Sequence, residues 1–139
     1  MIEAILVGLI SGTCMFALHD CWVWFWKKAG IEIPRLEITK SLYNATPVFL
    51  FWNISILMPI VEEVLFRFMP LCFAMLSANN FLIWSIAIIS SVVFGRAHGS
   101  WKNVLNLGMV GLVLSILYIN FGFVSCLAAH ITNNFLVSF

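Results

Sequence analysis

Charged residues fall at few places along this chain, and the stretches between them are long and apolar. Glu3 and Asp20 precede Lys27 and Lys28; Glu32, Arg35, Glu37 and Lys40 crowd one short segment; Glu62, Glu63 and Arg67 stand as an isolated group; Arg96 and Lys102 complete the set. A membrane-spanning helix needs roughly 20 predominantly apolar residues, and the gaps are long enough to supply several. The alternating pattern of barrel strands is absent. The pattern predicts an all-α integral membrane protein: a bundle of about five transmembrane helices in a single membrane domain, 1–139. The expected spans are about 2–26, 45–76, 81–98, 104–119 and 121–139, with a polar strap over 27–41 on the membrane surface.

The second span is the unusual one. At about 1.5 Å per residue, 45–76 would reach roughly 48 Å as one helix, and Pro47, Pro59 and Pro70 punctuate it. It is either a long kinked helix or two helices broken at Pro59. Charge bias decides between them. With one helix here, Lys27, Lys28, Arg35, Lys40, Arg96 and Lys102 all fall on one side, and the turns near Ser77 to Asn80 and Asn120 to Gly122 carry no charge on the other. The positive-inside rule therefore selects a single kinked second helix, with the N-terminus outside and the C-terminus cytoplasmic. Trp22, Trp24 and Trp26 ahead of Lys27 and Lys28 fit an interfacial aromatic belt at the end of the first span. Gly8 and Gly12 have the small-xxx-small spacing that permits close helix approach.

Composition agrees with the pattern: 63% of the residues are hydrophobic and 9% are charged, against about 25% charged in soluble proteins. A net charge of +1 gives no sign of a nucleic-acid partner; the expected partners are the bilayer and a membrane-associated peptide or protein. Cys14, Cys21, Cys72 and Cys126 form no C-x-x-C pair and read as small buried hydrophobes. The start Met1-Ile2-Glu3 lacks the basic region of a signal peptide, so the first segment is expected to be a retained helix. Short loops and the lack of a transit-like start point to a prokaryotic plasma membrane.

The chemistry lies in the polar residues that the membrane would otherwise exclude. A charge at mid-bilayer costs roughly 2.5 to 3.5 kcal/mol on insertion scales. Glu63 and Arg67 offset part of that cost as an i,i+4 pair with the acid N-terminal, the better order on a helix. Glu62, about 140° around the helix from Arg67, has Met58 and Phe66 as its own i−4 and i+4 neighbours. An intramembrane carboxylate without such a partner is a functional candidate. Farther along, His98 follows Phe94 by four residues and His130 precedes Asn134 by four, each pair on one helical face. His19 and Asp20 read as a hydrogen-bonded packing pair, and the i,i+4 spacing of Cys126 and His130 would allow a thiol–imidazole dyad that nothing else in the sequence supports.

In order and spacing, Glu62-Glu63-x-x-x-Arg67, Phe94-x-x-x-His98 and His130-x-x-x-Asn134 resemble the CAAX protease and bacteriocin-processing (Abi) family of glutamic-type intramembrane proteases. The resemblance spans about Pro59 to Asn134. It implies an intramembrane endopeptidase in which Glu62 and His98 activate a water and His130 and Asn134 support the oxyanion. Glu63, Arg67 and Phe94 would be structural, and no cofactor would be needed. Phe68 and Arg96 depart from the family's usual pattern. Two alternatives remain open: a zinc site built from Glu62, His98 and His130, and a non-catalytic scaffold or immunity protein.

The topology can be tested by cysteine-accessibility labelling in intact membranes. Probes at Ser77 and Ser100 should react from opposite sides; reaction from the same side would contradict the five-span arrangement.

Overall fold

The computed structural model describes residues 1–32 and 47–138, so most of the expected strap lies outside the described residues. Helix α1 is Ile2–Lys28. Helix α2 covers 47–76 as an unbroken helical run with two wide π-turn stretches, Phe51–Leu57 and Val64–Phe68. The junctions at Leu57, Glu63, Val64, Phe68 and Met69 all keep right-handed helical torsions, so α2 bends without breaking. Helix α3 is Asn80–Ala97. Helices α4, 101–121, and α5, 123–138, are joined at Gly122. No strand occurs among the described residues.

Each turn has a local cause. Between α2 and α3, Ala78 takes a positive φ of 52°, and the Asn79 side chain caps α3 by accepting from the Leu82 N–H at 3.2 Å, a standard N-cap arrangement. Between α4 and α5, Gly122 has φ 82° and ψ 179°, a region essentially closed to residues with a Cβ. The chain folds back there. Trp22 Nε1 donates to the Leu105 carbonyl at 2.8 Å, whereas Gly8 lies against Ser125, Ala128 and Ala129 and Gly12 against Ala129 and Thr132. Helix α1 is thus antiparallel to α4 and parallel to α5. A Cβ on either glycine would come within 2.5 Å of a carbonyl oxygen of α5, so the paired glycines do set a close helix contact.

The prolines of α2 explain its two polar tethers. Proline lacks an N–H and leaves a carbonyl on the preceding turn without its donor. Pro70 would leave the Phe66 carbonyl without an α-helical partner, and the Ser90 hydroxyl of α3 donates to it. In the π-turn stretch before Pro59, hydrogen bonds reach five residues ahead. The Ile54 carbonyl therefore faces position 59, and Asn134 of α5 donates to it at 3.3 Å. Both kinks are stitched to neighbouring helices in the way that membrane proteins re-satisfy freed backbone groups.

Three helical stretches are long and apolar enough to cross a membrane: Ile2–Lys28, Asn80–Ala97 and Trp101–Val137, the last folding back at Gly122. Large apolar side chains such as Leu76 and Phe81 are about four-fifths exposed, as a lipid-facing surface requires. With the all-helical architecture, this is a membrane protein. Lys27, Lys28, Arg96 and Lys102 gather at one end, where α1 and α3 finish and α4 begins; the turns at 77–79 and 120–122 lie at the other. The core joins Leu71, Ala87, Leu114, Leu117, Tyr118, Cys126 and Ala129 from α2 to α5, and above it lie the polar residues.

Candidate active site

Glu62 and Glu63 occupy neighbouring positions in the α-helical segment between the two π-turn stretches of α2, so their side chains leave the axis about 100° apart. Glu63 enters the interior. Its Oε1 accepts from Arg67 Nη1 at 3.1 Å and from His130 Nδ1 at 2.6 Å, while its Oε2 accepts from the Cys126 thiol at 2.7 Å. Glu63 and Arg67 are fully buried and the His130 side chain is 3% exposed. Ionic groups at that depth persist when they are paired and hydrogen-bonded. Arg67 has a second support, because its guanidinium carbon lies 4.3 Å from the Phe94 ring centroid, a cation–π arrangement. Gly111 leaves room for it: a Cβ there would come within 2.7 Å of Arg67 Nη2.

Glu62 faces two imidazoles. His98 Nε2 lies 3.6 Å from Oε1 and His130 Nε2 lies 3.4 Å from Oε2. The Glu62 and His98 side chains remain 15% and 23% exposed, so the buried network opens toward solvent on this side. The outer nitrogens of both rings are committed elsewhere. His98 Nδ1 meets the Phe94 carbonyl at 2.8 Å, and His130 Nδ1 meets Glu63. A carbonyl and a carboxylate can only accept, so both Nδ1 atoms carry hydrogen. In their neutral forms the two rings then turn Nε2 lone pairs toward the acceptor oxygens of Glu62. Acceptors facing acceptors need a proton between them, from a water or from protonation of one member.

Local folding sets these positions. His98 caps the C-terminus of α3, and Asn103 at the start of α4 holds that turn by donating to the His98 carbonyl. Phe94, one turn back, packs edge-on against both rings, with centroids 4.6 Å from His98 and 5.9 Å from His130. Arg96 turns outward and hydrogen-bonds the Gly99 carbonyl, so this additional charge stays clear of the site. Phe68 packs against Phe123 at 5.8 Å between centroids.

Glu62, Glu63, Arg67, Phe94, His98 and His130 are therefore brought together. Asn134 lies one turn beyond His130 on α5, with its amide on the Ile54 carbonyl. The spacing of Cys126 and His130 has a different meaning from a dyad, since the thiol hydrogen-bonds Glu63. Asn103 is the neighbour that motif spacing missed; the spacing tied Cys126 to His130, and only the three-dimensional contacts show that its thiol meets Glu63. His19 contacts Asp20 at 3.5 Å and Asn106 at 3.4 Å, away from Glu62. A cavity of about 470 Å³ lies between α1, α4 and α5; His19, Asn106 and Asn134 line it, but Glu62, His98 and His130 do not. The two imidazoles address different oxygens of Glu62, and no group of three His, Cys, Asp or Glu side chains suited to a metal ion occurs among the described residues.

An all-helical membrane protein with a carboxylate between two buttressed imidazoles has the features of a membrane hydrolase. The family model described as "Type II CAAX prenyl endopeptidase Rce1-like" matches residues 44–136. The chain belongs to this family of proteases. No curated protein and no solved structure matches it.

The two adjacent acids should separate in stability measurements. Glu63→Gln breaks a buried ionic network and should destabilise by about 3 to 5 kcal/mol. Glu62→Gln, on the partly open side, should stay within roughly 0.5 kcal/mol of the wild type. Melting curves in detergent check this, and the reverse order would contradict the assigned roles.

Proposed function

We propose that the chain is a glutamic-type intramembrane endopeptidase acting on a membrane-associated protein or peptide. The supporting observation is the Glu62 carboxylate flanked by two imidazole Nε2 atoms whose opposite nitrogens are already engaged. A water donating into this cluster would resolve its excess of acceptors. Glu62 and His98 draw a proton from that water as its oxygen attacks the peptide carbonyl, and the proton is then delivered to the leaving amine.

His130 serves the other half of the reaction. As an imidazolium it donates from both nitrogens, Nδ1 to Glu63 and Nε2 to the developing oxyanion, with Asn134 on the same helical face as the second donor. Glu63 thus has the part that the buried aspartate has in a serine-protease triad, orienting a histidine and holding the proton on its Nδ1. Five spans with the cationic end in the cytoplasm would place this centre in the cytoplasmic half of a prokaryotic plasma membrane, where water can reach Glu62.

Purified protein in proteoliposomes carrying a cleavable membrane peptide tests the reading. Turnover should survive strong chelators and show a bell-shaped pH profile, and Glu62→Gln should lower it by about 10² to 10⁴-fold. Activity lost on chelation and restored by zinc would replace this mechanism with a metal-dependent one. No cleavage of any membrane peptide, with Glu62→Gln leaving the protein's biological effect intact, would point to a scaffold or immunity role.

A further inference from the structure

The mechanism just proposed leaves one buried nucleophilic group without a part. Cys126 is fully buried, and its sulfur lies 2.7 Å from Glu63 Oε2. The other Glu63 oxygen is shared by Arg67 and His130. We propose that Cys126 is a positioning residue: its thiol hydrogen fixes the carboxylate of Glu63 and, through it, the orientation of His130 and the proton on its Nδ1. The proposal rests on the reading of His130 as an oxyanion donor.

The geometry gives the thiol a task that its neighbours cannot perform. Both Arg67 and His130 bind Oε1, so without a third donor the broad terminal torsion of the Glu63 carboxylate is restrained through one oxygen alone and can swing within the reach of those two bonds. A donor on Oε2 removes that freedom. Cys126 is one helical turn before His130 on α5, so the thiol and the imidazole project from the same face and hold the carboxylate from both ends. A buried carboxylate oxygen without a donor is also costly in its own right. An S–H is ordinarily a weak donor, but an ionised acceptor strengthens it. The proton stays on sulfur, because the thiol is fully buried and faces the negative carboxylate of Glu63, and both circumstances disfavour a thiolate.

Three variants in lipid nanodiscs separate positioning from simple packing. Cys126→Ser keeps a donor, Cys126→Ala removes it, and Cys126→Val restores apolar volume without one. ¹⁵N-histidine NMR of His130 should show a single species protonated at Nδ1 in the wild type and in Cys126→Ser. A second population with Nδ1 unprotonated should appear in both Cys126→Ala and Cys126→Val. With a cleavable membrane peptide, kcat should fall about tenfold in the latter two while KM stays within about twofold, and Cys126→Ser should recover most of the loss. If the donorless variants do not fold, infrared spectroscopy of the wild type still decides. The S–H band absent from Cys126→Ser should lie below that of an unbonded thiol, and Glu63→Gln should move it upward. An unchanged His130 species in the donorless variants, or an S–H band at the unbonded position, would overturn the proposal. Failure of every form to cleave peptide, with the His130 spectra behaving as expected, would overturn the protease mechanism and leave the positioning intact.

Discussion

One buried carboxylate underlies the rest of this structure. Glu63 sits in a helix that must cross apolar surroundings, and its charge is tolerable because Arg67, His130 and Cys126 each give it a hydrogen. Removing any of these donors would expose a cost of the kind that makes broken buried ion pairs strongly destabilising. That requirement fixes α2 against α5, since two donors come from α5 and one from α2 itself. It also fixes α3 and α4, because Arg67 needs the face of Phe94 and the missing side chain of Gly111. Stability and site geometry therefore share the same contacts.

The consequence for chemistry is a ring held at both ends. His130 spans adjacent acids, with Nδ1 on Glu63 and Nε2 facing Glu62. Glu63 is fully buried, while Glu62 is left beside His98 on the side that remains partly open. Consecutive residues on a helix diverge by about 100°, and this alone gives two identical side chains different surroundings. The chain's membership of a protease family points to peptide hydrolysis, and the excess of acceptors around Glu62 calls for a proton there.

Much of this was legible in the sequence, and the reason is specific. Charge is so costly in apolar surroundings that Glu62, Glu63 and Arg67 could not be incidental, and the i,i+4 spacing of Glu63 and Arg67 foretold their ion pair. The all-helical membrane class followed from the long uncharged runs. The second helix was expected to bend at its prolines, and it does so through two π-turn stretches. The contacts between helices were not legible. Their partners depend on rotation about each helix axis, which the π-turn stretches alter by amounts that no motif encodes. So the Ser90 and Asn134 tethers to α2, the Asn103 clamp on the His98 turn and the thiol on Glu63 emerged only in three dimensions.

The most direct test measures the bridging of His130. Solid-state NMR in lipid bilayers, with ¹⁵N in histidine side chains and ¹³C in glutamate carboxyl groups, reads dipolar couplings between them. The account predicts that His130 couples through its two nitrogens to two different carboxyl carbons, one coupling disappearing in Glu63→Ala and the other in Glu62→Ala. A His130 that couples to only one of the two acids, or to neither, would contradict it.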